Sequence, residues 1–218
     1  MHVTTHDEHL VIGATPSDLT LTAVCTDLAW KGKRLSELSV EVTVERDGFL
    51  CASGGGRFTC IAPATYKRLR GAASTARCIG RTRPPTGIDP AVFGRNLPFD
   101  VVLAPTDRPG RWLLDPDPQH PILFDHSGDH VPGMVLLEAA RQAACGLLSP
   151  HTLTPSSIQV EFLRYAEFDA PCWIEASALP GHGSCGVMVT GLQNDQTVFT
   201  ARLFGPASLA ATSPYRPV

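Results

Sequence analysis

Between His120 and His130 the chain gathers His120, Asp125, His126, Asp129 and His130, side chains that relay protons, polarise carbonyls or ligate metals. Val131-Pro132-Gly133 follows, then the run Met134 to Leu148, in which Glu138 and Arg141 are the only charges and Gly146 the only breaker. Proline suits the first helical position because its missing N–H has no intrahelical partner there. The spacing therefore predicts a helix opened by Pro132 and reaching Leu148. At about 100° per residue, Met134, Glu138, Arg141, Gln142 and Cys145 share one sector, with Leu136, Ala139, Ala140, Ala143 and Leu147 opposite. A helix this apolar must be covered on most sides, so Glu138 and Arg141 are expected in a confined place. At i,i+3 they can pair, as a structural ion pair or as a functional one, and their types leave both open. The polar loop leads to a helix N-terminus, whose N–H groups and dipole suit a carbonyl oxygen or a phosphate.

A metal site is the competing use of the loop. His126/His130 and Asp125/Asp129 are spaced i,i+4, which brings ligands together only on a helix, and Pro132 starts the helix after them. No metal and no cofactor are expected. A Gly-x-Ser-x-Gly elbow, a phosphate loop and a dinucleotide fingerprint are all missing from the sequence. The amino-terminal His2, His6 and His9, and the lone His151 and His182, are read as surface residues.

The run Phe-Asp-His-Ser-Gly-Asp-His-Val-Pro-Gly-Met-Val-Leu-Leu-Glu-Ala-Ala-Arg-Gln, from Phe124 to Gln142, resembles the second hotdog repeat of the A-factor biosynthesis (AfsA-type) proteins of actinomycetes. Arg46-Asp47-Gly48 and Tyr66-Lys67-Arg68-Leu69-Arg70-Gly71 resemble parts of the family's first repeat, and the similarity runs from about residue 1 to 205. The resemblance implies a hotdog fold of α+β class, an antiparallel sheet wrapped around a central helix. It implies an acyltransferase that condenses a β-ketoacyl thioester, carried on acyl carrier protein, with dihydroxyacetone phosphate or a similar phosphorylated hydroxyketone. The product would be a precursor of butenolide and γ-butyrolactone signals. Pro132-Gly133 with Glu138-Ala139 is also similar to the hydroxyacyl-thioester dehydratases, which place a His eight residues before that Pro. Phe124 stands there in this chain, which argues against dehydratase chemistry.

Such a transfer needs a polarised thioester carbonyl, help with a proton and a cation for the phosphate. Glu138 is the expected general base if confinement raises its pKa. Arg141 is the expected cation, because its planar fork suits phosphate. Asp129 and His130 are expected to orient the loop or relay protons, and the Gly133 amide to polarise the carbonyl. His126, Met134 and Gln142 complete the expected substrate-binding set.

The composition, 43% hydrophobic and 18% charged with a net charge of −3, suits a globular chain and offers no basic field for nucleic acid. No apolar run approaches the ~18 residues of a membrane span, and the first residues do not form a secretory signal. The seven cysteines are scattered without a Cys-x-x-Cys pair, which fits reduced thiols in the cytoplasm.

Along the chain, strands are expected at Leu19 to Trp30, Leu38 to Glu45 and Phe49 to Cys60, with a hairpin at Arg46-Asp47-Gly48. Gly54-Gly55-Gly56 marks a bulge or a close backbone approach. A helical turn covers Thr65 to Arg70, whose Lys67, Arg68 and Arg70 face solvent, a phosphate or an acidic carrier protein. Residues 72–98 read as a linker, and Phe99 to Leu103 and Trp112 to Leu114 as short strands. After the helix come strands at Ser157 to Tyr165, Cys172 to Leu179, Cys185 to Leu192 and Thr197 to Phe204, then a frayed tail over 206–218. Strand, turn, strand, hairpin, strand thus occurs twice, the first time without a helix. The expected organisation is a partial hotdog repeat over 1–71 and a complete one over 99–205. A homo-oligomer or a homologue completing the first repeat is an expected partner. Alternatives to transfer are a non-catalytic binding or scaffold subunit that pairs with a homologue, and a hotdog thioesterase or dehydratase.

Overall fold

Two hairpins with left-handed residues set the register of the sheets. The computed structural model describes residues 1–10, 16–77, 88–180 and 185–209. It divides into two units, the first comprising Met1–Gly71 with Ser156–Gln159, the second Ala72–Pro155 with Val160–Val218.

In the first unit, β1 (His2–Thr5) and a short helix α1 (Asp7–Leu10) precede β2 (Thr20–Lys31), β3 (Arg34–Arg46), β4 (Phe49–Thr59) and α2 (Pro63–Arg70). The antiparallel order is β2-β3-β4-β1, with Ser157–Gln159 on the outer side of β1. Asp47 and Gly48, at φ 52° and 80°, turn β3 into β4, as a two-residue hairpin of primed type requires. Arg46 pairs with Phe49 and Glu45 with Leu50, but Val44 pairs with Ala52, so the bulge falls at Cys51. The glycine run serves close approach instead: a Cβ at Gly54 would lie 2.8 Å from the His2 carbonyl oxygen. On α2, Lys67 and Arg68 are exposed while Arg70 is buried.

The second unit contains β5 (Leu103–Pro105), β6 (Arg111–Leu114), α3 (Gly133–Leu148), β7 (His151–Leu153), the end of β8 (Ser157–Phe162), β9 (Cys172–Leu179), β10 (Cys185–Gln193), β11 (Gln196–Gly205) and β12 (Ala207–Leu209). Its sheet runs β11-β10-β9-β6-β5. Asn194 and Asp195, at φ 51° and 58°, form the second hairpin. Leu192 pairs with Thr197 and Gly191 with Phe199, leaving the bulge at Val198. Both copies of the repeat therefore share a hairpin type and a bulge at the same distance from it.

The helix α3 is the axis of this unit and packs on β9, β10 and β11. Val135, Leu136, Ala139, Ala140, Ala143 and Ala144 are buried on it, and Ile174, Val187, Val189 and Phe199 are buried in the strands. The alanines let the backbones approach closely, and this is the hotdog arrangement. In the first unit Val40 and Val42, which hold the positions of Val187 and Val189 relative to the hairpin, line an apolar cavity of about 310 Å³ with Val3, Val44, Ala52 and Phe58.

Gly146 has a packing reason to interrupt the helix. A Cβ there would lie 2.9 Å from Cζ2 of Trp112 and 3.1 Å from Cε1 of Phe93, two rings that meet edge-on at 6.4 Å. Overpacking of this kind costs about 1–3 kcal/mol, more than the ~1 kcal/mol of helix propensity that alanine gains over glycine. Gly146→Ala is therefore expected to lower the urea unfolding midpoint.

Several local expectations need correction. Phe99 to Leu103 is not a strand: Pro98–Asp100 is a 3-10 turn and pairing begins at Leu103, because Asp100 and Val102 direct backbone groups to a side chain of α3. Ala207–Leu209 is not frayed but pairs with β7, Ala207 opposite Leu153 and Leu209 opposite His151. The strand starting at Ser157 stops at Phe162. Residues 78–87, His182 and the tail beyond Leu209 lie outside the described residues. The stretch from Ile88 to Pro98 contains a 3-10 turn, Pro90–Phe93, capped by Asp89 Oδ1 accepting from Ala91 N at 3.0 Å, and Phe93 is fully buried.

Candidate active site

Glu138 lies near the middle of α3, its side chain 9% exposed, and it accepts five hydrogen bonds. Oε1 receives Arg95 Nε at 2.8 Å, Arg141 Nη2 at 2.8 Å and Gln142 Nε2 at 2.6 Å. Oε2 receives Arg95 Nη2 at 2.6 Å and Arg141 Nε at 3.0 Å. Each guanidinium meets the carboxylate with two nitrogens, the strong two-pronged geometry. The helix supplies Arg141 and Gln142 at i+3 and i+4, and the turn ending at Gly94 supplies Arg95 from 43 residues away. Gly94 has φ +62°, and a Cβ there would lie 3.2 Å from Arg141 Nη1, so glycine is needed both for the turn and for the guanidinium beneath it.

Gln142 is fully buried and structural. Its amide donates to Glu138 and to the Asp100 carbonyl at 2.7 Å, and its Oε1 accepts from Val102 N at 3.0 Å. Those bonds occupy the groups that substrate binding at Gln142 would have used. Arg141 is also committed within the protein: Nη2 additionally donates to the Phe93 carbonyl at 2.9 Å, and Nη1 faces Cys145 Sγ at 3.7 Å. Burial alone pushes the Glu138 carboxyl upward and is the largest single influence, but the bonds from Arg141, Arg95 and Gln142 together outweigh it and its pKa is lowered. The condition for Glu138 as a general base, a raised pKa, is therefore not met. The same contact with Glu138 raises the pKa of Arg95 against the opposing effect of burial.

The other expected residues lie elsewhere. His130 Nδ1 is 2.7 Å from Asp129 Oδ1, and its ring packs edge-on to Tyr165 at 4.6 Å. With Val131, Gly133, Leu136, Phe162 and Leu163 it lines a cavity of about 430 Å³. Gly133 and Leu136 point some 140° and 160° away from Glu138 on the helical wheel, so the structure does not gather Asp129 and His130 with Glu138 and Arg141 as one catalytic group. Gly133 lets Phe162 approach, since a Cβ there would lie 3.3 Å from Cζ of that ring. His126 is exposed and paired with its neighbour Asp125, outside the lining of that cavity. Met134 is 56% exposed beside the helix start. His120 is structural: Nδ1 accepts from Ile122 N and Leu123 N, Nε2 donates to Asp100, and the ring stacks on Phe99. Among the described residues these groups do not converge as a set of metal ligands, and no helix is long and apolar enough to cross a membrane.

Arg95 was missed because it sits in a stretch without periodicity. The only signal was Asp89-Pro90 followed by Gly94, a capped turn that must pack on something.

The profile of the A-factor biosynthesis hotdog domain, AfsA, matches residues 80–205. A 2-oxo-3-(phosphooxy)propyl 3-oxoalkanoate synthase of Streptomyces virginiae is 46% identical over 203 residues, covering 92% of this chain and 68% of that protein. Synthases of the same name from Streptomyces griseus and Streptomyces coelicolor are 41% and 40% identical, over 67% and 65% of their lengths. The chain thus spans about two thirds of the length of these relatives. The fold is similar to that of the 12:0-ACP thioesterase from Umbellularia californica, with a TM-score of 0.52, 11% identity and coverage of 95% of this chain and 71% of that one. A tesB protein of Mycobacterium avium subs paratuberculosis gives a TM-score of 0.50 at 12% identity, covering 95% and 77%. These two show the fold alone, whereas the profile and the synthases show that the chain belongs to the A-factor biosynthesis hotdog family.

Proposed function

We propose that this chain is an acyltransferase that joins a 3-oxoacyl group, delivered as a thioester, to the hydroxyl of a phosphorylated hydroxyketone such as dihydroxyacetone phosphate. The observation that carries the reading is the 46% identity, across 92% of the chain, to a synthase whose name describes that ester. The 2-oxo-3-(phosphooxy)propyl group is the residue of dihydroxyacetone phosphate, and the 3-oxoalkanoate is the acyl part. The chemistry balances without a cofactor: the hydroxyl oxygen bonds to the thioester carbon, the carbon–sulfur bond breaks, and the thiol leaves with the hydroxyl proton. An acyl carrier protein is the proposed thioester carrier, and the cytoplasm the proposed compartment.

The Glu138 cluster suits the phosphate end of this reaction, since it holds two guanidinium groups around one carboxylate on a face reached by solvent at Arg95. The test is thiol release from a 3-oxoacyl thioester. Release that requires the phosphorylated hydroxyketone supports transfer; equal release in its absence identifies a thioesterase, and no release with either supports the binding or scaffold alternative.

A further inference from the structure

We propose that Arg95, not Arg141, is the residue that contacts the phosphate of the hydroxyketone, and that Glu138 and Arg141 position it. This rests on the reading above, because it presumes a phosphorylated substrate. Three observations carry it. An ionised carboxylate offers roughly four lone-pair sites, and Glu138 already accepts five N–H groups, so it has no capacity left for a substrate proton. It works as an anchor. Arg141 is held on every side: two nitrogens face Glu138, one of them also the Phe93 carbonyl, and the remaining Nη1 lies against Cys145 beneath Gly94.

Arg95 differs in exposure and in what it has left to give. Its side chain is 36% exposed, against 20% for Arg141 and 9% for Glu138, so the cluster opens outward at this residue. Nε and Nη2 are spent on Glu138, which fixes the plane of the guanidinium, and Nη1 is not among the nitrogens that bond Glu138. A guanidinium clamped through Nε and Nη2 in a side chain that is still 36% exposed is prepared to meet an anion with little loss of rotamer freedom. Asp100 also acts on Arg95 through its charge, but it directs Oδ1 to His120 Nε2 at 3.2 Å. The chemical class selected is a phosphate monoester on a small hydroxyketone.

The experiment compares kcat/KM for dihydroxyacetone phosphate with that for dihydroxyacetone, in the wild-type protein, Arg95→Gln and Arg95→Lys, with the melting temperature of each recorded. Alongside it, calorimetry measures binding of dihydroxyacetone phosphate without any thioester. The expected result is a 10- to 100-fold fall in the preference for the phosphorylated substrate in Arg95→Gln, the worth of a charge-assisted hydrogen bond, with partial recovery in Arg95→Lys. The binding arm should weaken by a similar factor. A purely structural Arg95 would lower both kcat/KM values together and leave their ratio unchanged, which overturns the proposal. If no transfer occurs with any protein, the assignment of function fails, and the calorimetry alone decides Arg95: binding that Arg95→Gln leaves undiminished, or absence of binding by the wild type, overturns it.

Discussion

Glu138→Gln is expected to lower stability by about 2–3 kcal/mol and turnover on the order of 10²-fold. Removing one partner of a fully buried ion pair costs about 3–5 kcal/mol, because it strands the opposite charge. Here the stranded groups are Arg95 and Arg141, and their partial exposure lets water take up part of the loss. The effect on rate is one of placement: without the carboxylate the guanidinium plane of Arg95 is no longer fixed, and a shift of about 1 Å near a reacting substrate is worth about 10²-fold. The pH dependence of stability supplies an independent check. The folded pKa of Glu138 is lowered, so its contribution is fully present above its ordinary value of 4.5 and is lost as pH falls through the depressed folded value. The difference in melting temperature between the wild type and Glu138→Gln should therefore be constant near neutrality and shrink below pH 4.5. A gap that widens on acidification would mean that the carboxyl is protonated in the native protein.

Gln142→Leu is expected to be comparably severe, at about 3 kcal/mol, although it removes no charge. The amide joins α3 to the segment before β5, through Asp100 O and Val102 N, and it donates to Glu138 as well. Leucine would fill the space but leave the buried N–H of Val102 and the part-buried C=O of Asp100 without partners, at about 1–3 kcal/mol for a buried group and less where water can reach it. Thermal unfolding should show the loss. Binding of dihydroxyacetone phosphate below the melting transition should weaken far less than in Arg95→Gln, because Gln142 is fully buried and its polar groups are already occupied. Loss of binding in a folded Gln142→Leu protein would return this side chain to the substrate site.

What the sequence made legible was whatever depends on local spacing. The helix from Gly133 to Leu148 follows from an apolar run opened by Pro132, and the two meanders follow from period-two strands meeting at Asp47-Gly48 and Asn194-Asp195. The Glu138–Arg141 contact is an i,i+3 pair, visible without any tertiary information. Arg95 reaches Glu138 across 43 residues, and no periodicity in its own segment announces that contact. The sign for Glu138 also differs from the expectation: burial by itself raises a carboxyl pKa, but the bonds from Arg141, Arg95 and Gln142 together lower it. The polar loop misled in another way. Its histidines and aspartates are adjacent in sequence, but His120 faces Asp100, His126 faces solvent and His130 faces a cavity on the far side of α3 from Glu138. Three neighbours in the chain thus have three different surroundings.

The acyl group is expected to pass to a hydroxyl and not to water. Running the reaction in ¹⁸O-water with a 3-oxoacyl thioester and dihydroxyacetone phosphate, and reading the acyl product by mass spectrometry, tests it directly. The expected product is a phosphorylated ester whose acyl carboxyl carries no label. Free 3-oxo acid bearing ¹⁸O as the main product, with no ester formed, would contradict it.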